Sequence, residues 1–256
     1  MTARVYSRDH VGSLEKGLQV MEILARHPDG LTLSDMALAT GLTRSGSRRF
    51  LLTLVETGYA TQSGRLFTLS PRLLTVARAW LQGATLWSHA EPVMRGVAAA
   101  LNESCSAAVL SGEDVVYVAR VAGRRILSVA LNVGTRLPAW CTSMGRVLLS
   151  NLSKDELTRF LATATIEKRT AKSMTNRKQL IAEIAKVAQQ DFAIVDGELE
   201  IGLCSIAVPI RDGSGRIIAA INVSTQSERF SAAEIRQQVL PQLRKAAKAI
   251  EDFASF

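Results

Sequence analysis

Apolar residues in the first seventy positions recur at helical intervals and then switch to alternation. In SLEKGLQVMEILARH, Leu14, Leu18, Met21 and Leu24 follow the spacing of one helix face, and Ser13 is suited to cap its start. Pro28-Asp29-Gly30 stops that helix, and His27 sits near its end, where a cation is favoured. A short helix follows in LTLSDMALATG, with Thr32 and Asp35 spaced as a capping box and Gly41 as its stop. Thr43 then caps a third helix that runs to about Thr57. On a helical wheel Ser47, Phe50, Leu51 and Leu54 share one face, and Arg44, Ser45, Arg48 and Arg49 spread over the other. After it, Gly58–Gln62 and Arg65–Leu69 read as two short strands joined through Ser63-Gly64, a hairpin.

Helix, short helix, tight turn, helix and hairpin is the order of a winged helix-turn-helix. If the apolar face of the third helix packs on the first two, its guanidinium groups point outward from the half that enters a major groove. Arginine reads guanine or grips phosphate, and Ser and Thr hydroxyls serve either purpose. The candidate DNA contacts are therefore Thr32, Thr43, Arg44, Ser45, Ser47, Arg48 and Arg49, with Arg65 on the wing. The alternative is a solvated basic face on a small helical domain. Pro71 opens a fourth helix, on which Trp80 either packs on its own domain or meets another chain.

From about Trp87 the pattern changes. Strands are expected at Ser104–Leu110, Val115–Arg120, Ile126–Leu131, Ala193–Asp196, Cys204–Ile210 and Ile217–Ser224. Helices are expected at Glu91–Leu101, Thr142–Leu149, from Ser153, at Asn176–Gln190 and from Ser231 to about Phe253; Val133–Pro138 reads as a loop. Strands joined mostly by hairpins, with helices gathered around them, indicate an α+β fold. By analogy, a GAF-like α/β effector-binding domain follows the winged helix-turn-helix. The expected division is a DNA-binding domain at 11–71, a linker helix at 72–87 and an effector-binding domain at 88–256.

Charge supports this order. The net charge is +8, and ten basic residues face six acidic ones up to residue 80, which puts half of the excess in under a third of the chain. Such a balance favours a polyanionic partner. No apolar run approaches the ~18–20 residues that span a bilayer, and the first residues lack a signal peptide's apolar core; a cytoplasmic protein without a membrane partner is expected. Cys105, Cys141 and Cys204 are too scattered for a disulfide frame or a zinc site, and no cofactor is expected.

Catalytic motifs are sparse. The chain has no GxSxG elbow, and His89 is its only histidine beyond the wing, which argues against a Ser-His-Asp triad. A hydrolase-like domain fused to a DNA anchor is the alternative to a regulator without enzyme activity. Asp196, Glu198 and Glu200 alternate as an acid–base or metal site would, or as a solvated loop does. The stretch Leu137–Arg146 suggests binding instead. Thr142, Ser143 and Gly145 open a helix whose N–H groups attract anions, Trp140 and Met144 offer an apolar wall, and Arg136 and Arg146 offer charge. The plainer alternative is a capped helix with Trp140 in the core.

Taken together, SLEKGLQVMEIL, LTLSDMALATGLTRSGSRRFLLTLVETGY, LSPRLLTVARAWL, LPAWCTSMGRVLLS and VDGELEIGLCSIAVPI resemble the IclR family of bacterial transcriptional regulators, over nearly the whole chain. DVVYVARV, LNVGTRLPAW and ELEIGLCSIAVPI are most similar to the branch that controls aromatic-acid breakdown through protocatechuate and β-ketoadipate. The resemblance implies a regulator that responds to a small carboxylic acid and binds double-stranded operator DNA as a homodimer or homotetramer. It places Ser143 and Met144 in the effector site, and Asp196, Cys204 and Ser205 near a second ligand-contacting loop. Cys204 stands where that branch usually carries arginine, Ser205 where many members have cysteine, and Gly46 where alanine is more usual.

Overall fold

Helix α1 (Gly12–Ala25) begins one residue ahead of the expected Ser13 cap; Val11 takes the cap position and supplies no side-chain hydrogen bond. The face that packs is Val20, Ile23 and Leu24, whereas Leu14 and Leu18 stay exposed. The computed structural model describes residues 9–76, 85–123, 131–230 and 232–254. Trp80, the strand expected at 126–131 up to residue 130, and residues 77–84 of the expected linker helix lie outside those residues. The chain divides into two compact units, Met1–Gly83 and Ala84–Phe256.

In the first unit a short strand β1 (Leu31–Thr32) leads into α2 (Leu33–Thr40), then α3 (Arg44–Glu56) and the hairpin β2 (Ala60–Ser63) and β3 (Leu66–Leu69). The caps expected at Thr32 and Thr43 form. Thr32 Oγ1 accepts from Asp35 N while the Asp35 carboxylate accepts from Thr32 N and Oγ1, and Thr43 Oγ1 accepts from Gly46 N at 3.1 Å. His27 Nδ1 donates to Ile23 O at 2.9 Å, which satisfies a carbonyl at the end of α1. Gly41 lies in the left-handed region, φ +68°, and turns α2 into α3. The three strands pair antiparallel in the order β1-β3-β2, with Ser63 opposite Leu66, so Gly64 and Arg65 form the hairpin tip. Met36, Leu51, Leu54 and Phe67 close a core over Val20, Ile23 and Leu24.

The second unit is one antiparallel sheet with helices on both faces. Its strands are β4 (Ser104–Ser111), β5 (Asp114–Val121), β6 (Arg136–Pro138), β7 (Ala193–Asp196), β8 (Leu203–Arg211) and β9 (Ile217–Gln226), in the order β6-β5-β4-β9-β8-β7. The expected loop at 133–138 is thus partly strand. Arg136 and Leu137 pair with Val116 and Val115 on the sheet edge, and Pro138 closes the ladder opposite Asp114, an edge position that tolerates a missing N–H.

Helix α4 (Thr85–Leu101) and the C-terminal helix α5 (Leu240–Ala254), entered through a π-helical turn at Ile235–Val239, lie on one face. Three helices pack with the other: α6 (Ser143–Leu149), α7 (Lys154–Thr163) and α8 (Arg177–Gln190). Side chains alternate along a strand, and β9 shows the consequence. Ala219, Ile221 and Val223 join the core beneath α4 and α5, while Ala220 joins the opposite core. No helix among the described residues is long and apolar enough to cross a membrane.

Candidate nucleic-acid interface and effector cavity

On α3 the apolar positions turn inward, so Arg44, Ser45, Arg48 and Arg49 are all exposed. Arg65 is exposed at the hairpin tip. Among the described residues none of these four arginines makes an ion pair. Arg44, Arg48 and Arg65 line one groove with Thr32, Ser34, Gln62 and Gly64, so the recognition helix, the start of α2 and the wing converge on it. An uncompensated trio of guanidiniums in a concave surface is suited to a phosphate backbone. Thr32 and Thr43 spend their hydroxyls on helix caps. Ser47 is the correction: it is 0% exposed, beneath α3 on the face of Leu51 and Leu54, where no nucleic acid reaches it.

The second unit holds a cavity of about 280 Å³. Apolar walls come from Leu131, Leu137, Met144, Val195, Leu199 and Leu203, with Tyr117 and Cys141 beside them. Its polar lining is Thr142, Ser143, Ser205, Asn222 and Ser224, with Arg169 and Glu200. Asn222 and Ser224 follow from strand parity: they occupy the β9 positions in phase with Ala220. Ser143 and Asn222 are 1% and 3% exposed, and Ser143 Oγ and Asn222 Oδ1 have no hydrogen-bond partner. Buried polar atoms are rarely left so, and here they face an open volume. Burial pushes the Tyr117 hydroxyl up to about 12, countered in part by Arg120, so at neutral pH it is a phenol. The Cys141 thiol is likewise raised to about 12 by burial, which keeps it protonated and a poor nucleophile.

Of the residues singled out from sequence, Thr142, Ser143, Met144 and Ser205 line this cavity. Trp140, 1% exposed, belongs to the core beside it, as the plainer alternative had it; nothing in the structure explains its unpartnered Nε1. Gly145 lies against the preceding 3-10 turn, where a Cβ would come within 2.0 Å of Ala139 O. Its part is to let α6 start there, not to touch a ligand. Cys204 is a second correction. Ser205 faces the cavity, so its neighbour on β8 points through the sheet into the core of Ile206, Val208 and Ile221. Asp196 is a third: Val195 takes the cavity-facing position, and Asp196 accepts from Lys172 Nζ at 2.6 Å and Ser227 Oγ at 2.5 Å. Those two hydrogen bonds hold its carboxyl below the usual carboxylate range.

Neither arginine expected to lend charge does so. Arg136 donates to Asp114 and to Ser111 O, and Arg146 is buried against Glu198, Nη2 to Oε2 2.8 Å. Glu198 is therefore no solvated loop residue. Among the described residues the cation that lines the cavity is Arg169, which sequence reading passed over because it stands in an irregular stretch between α7 and α8. No local pattern marks it; only the folded strap from 165 to 176 brings it to the cavity.

Comparison with known proteins agrees with both halves of this geometry. Residues 13–64 match the IclR helix-turn-helix domain, and residues 78–252 match the bacterial transcriptional regulator IclR C-terminal domain. The Pca regulon regulatory protein of Pseudomonas putida is 40% identical over 241 residues, 94% of this chain and 83% of the relative. The p-hydroxybenzoate hydroxylase transcriptional activator of Acinetobacter baylyi is 30% identical, over 97% of this chain and 93% of the relative. A crystal structure of the inducer-binding domain of an Acinetobacter PobR double mutant with 3-hydroxybenzoic acid superimposes with a TM-score of 0.62. It is 30% identical and covers 66% of this chain and 98% of that one. A basic recognition helix with its wing, an antiparallel sensor sheet with a cavity, and matches over both stretches lead to one family: the chain belongs to the IclR bacterial transcriptional regulators.

Proposed function

We propose that the protein is a ligand-responsive regulator that grips operator DNA through its N-terminal unit and senses a small aromatic acid in the cavity of its C-terminal unit. The observation that carries this reading is the lining of that cavity. Apolar walls suit a ring, the unpartnered Ser143 Oγ and Asn222 Oδ1 suit a polar substituent, and Arg169 suits a carboxylate. The relatives named for p-hydroxybenzoate hydroxylase activation and for the Pca regulon, and the 3-hydroxybenzoic acid in the PobR domain, favour the same ligand class.

In this reading Arg44, Arg48 and Arg65 carry the nucleic-acid contacts, Arg49 and Ser45 border them, and Thr32 and Thr43 hold the helix starts in place. The protein works in the cytoplasm as a homodimer or homotetramer, by binding and not by turnover. The DNA-binding part spans 11–71, a linker helix 72–87 and the effector-binding part 88–256. The ligand acts through differential affinity for two arrangements of the assembly.

The test is a thermal-shift screen of aromatic and aliphatic acids, repeated with promoter DNA from the neighbouring genes. An acid that binds only the native state raises the apparent Tm as its concentration passes its Kd. Hydroxybenzoates are expected to raise it and straight-chain monoacids to leave it unchanged. A screen in which no aromatic acid shifts the Tm refutes the ligand class.

A further inference from the structure

Arg146 and Glu198 form a buried pair that lines no part of the cavity, yet their sequence neighbours do. Ser143 and Met144 precede Arg146 on α6, and Leu199 and Glu200 directly follow Glu198. Burying two charges removes their hydration, which their attraction repays only with good geometry and further hydrogen bonds. Both are present. Arg146 Nε donates to Trp140 O at 3.2 Å. Glu198 Oε2 accepts from Arg146 Nη2 at 2.8 Å and from Met174 N at 3.0 Å.

The pair also reaches the strap that carries Arg169. Ser173 Oγ donates to Glu198 O at 2.8 Å and accepts from Arg169 N at 3.1 Å and Thr170 N at 2.9 Å. Thr170 Oγ1 donates to Gly197 O at 2.6 Å. Glu198 thus joins two sets of contacts: its carboxylate ties Arg146, and through it Trp140 O, to Met174 of the strap, and its main-chain carbonyl holds Ser173, which in turn holds the backbone of Arg169. Arg169 itself is exposed, so what holds its main chain beside the cavity is the strap and the pair beneath it, and not burial.

We propose that Glu198 and Arg146 are positioning residues for the effector site, which set Arg169 where it meets the carboxylate of the ligand. The proposal rests on the carboxylate-binding role given to Arg169 above. It differs from a stabilising role in what it predicts: losing Glu198 degrades recognition of the charge and spares recognition of the ring.

The experiment uses the full chain and two probes of equal shape, 3-hydroxybenzoate and its uncharged amide 3-hydroxybenzamide, each titrated by calorimetry. The wild type is expected to prefer the acid by about tenfold or more, as a charge-assisted hydrogen bond gives. Glu198→Gln is expected to shrink that preference to within about threefold while the Kd of the amide changes by less than about threefold. Arg169→Ala is expected to shrink it equally, and Arg169→Ala with Glu198→Gln no further, because two residues acting through one group are not additive. Ser173→Ala cuts the strap and leaves the buried pair whole, so it carries the test if Glu198→Gln fails to fold; a narrowed preference is expected there too.

A wild-type preference that survives both Glu198→Gln and Ser173→Ala overturns the positioning role alone. An equal loss of acid and amide also overturns it, since that is what a merely structural defect does. A wild type that binds neither probe, or both equally, overturns the carboxylate anchor and the positioning role together.

Discussion

Arg44, Arg48 and Arg65 reach solvent at the edge of a groove with no acidic partner among the described residues, whereas Arg146 lies 2% exposed with its guanidinium against Glu198. The same side chain serves two ends. An exposed, unpaired guanidinium adds little to the stability of its own fold and keeps its hydrogen bonds for a polyanion, whose counterions it displaces. A buried guanidinium has committed its geometry inward, and what it gives the molecule is the relative placement of the segments it joins. The N-terminal unit offers charge along its groove; the C-terminal unit uses the Arg146–Glu198 pair as scaffold beside a cavity that Arg169 and Glu200 line.

Substituting one arginine in each unit is the sharpest way to break this contrast. Arg146→Ala leaves Glu198 buried without its partner and is expected to cost ~3–5 kcal/mol of stability, read as a fall in the denaturant midpoint of the C-terminal unit. Arg48→Ala is expected to leave stability within ~0.5 kcal/mol and to weaken operator binding by ~1–3 kcal/mol at fixed salt if it reads a base. Unchanged operator affinity removes Arg48 from the interface; an unchanged midpoint for Arg146→Ala removes the scaffold role.

Smaller effects separate support from contact within the N-terminal unit. Thr43→Ala removes the cap of α3 and is expected to cost ~0.5–2 kcal/mol of stability in urea unfolding. Arg65→Ala, as a phosphate contact at the wing tip, is expected to lower the slope of log affinity against log salt by ~1, equally for all operator sequences. A selective loss at one base position contradicts that.

The smallest effect is common to both units. Hydrogen bonds from Thr32 hold the Asp35 carboxyl below the usual range, and those from Lys172 and Ser227 do so for Asp196. A depressed carboxylate contributes stability above its unfolded pKa and loses it as pH falls through the folded value. Both ties are therefore full at neutral pH and loosen in the acid range below about 4. Carboxyl carbon titration by NMR checks this, and midpoints at or above the ordinary values contradict it. Both groups are exposed enough for solvent to screen them, so little global stability goes with them.

The N-terminal unit was legible from sequence for the reason that makes it functional: its signals are local. Two caps, a glycine stop and an apolar stripe fix which way Arg44 and Arg48 point, and the wheel that showed this had already put Ser47 on the wrong side for a DNA contact. The cavity was legible where one short segment supplies it, at Thr142, Ser143 and Met144, and at Ser205 through the family resemblance. Asn222 and Ser224 needed the parity of β9, which follows once the strand is paired. The same rule, applied between neighbours, separates Ser205 from Cys204 and Val195 from Asp196. Arg169 and the Arg146–Glu198 pair, 52 positions apart in the chain, depend on a strap with no periodicity to read.

The most direct measurement is operator affinity with and without saturating 3-hydroxybenzoate, for the wild type and for Ser143→Leu, which fills the cavity. The acid is expected to change the wild-type Kd by at least about fivefold, the scale of an allosteric coupling. In Ser143→Leu it is expected to change nothing, while the ligand-free Kd stays within about twofold of wild type because the substitution lies in the other unit. A wild-type affinity indifferent to the acid, or a ligand effect that persists in Ser143→Leu, contradicts the account.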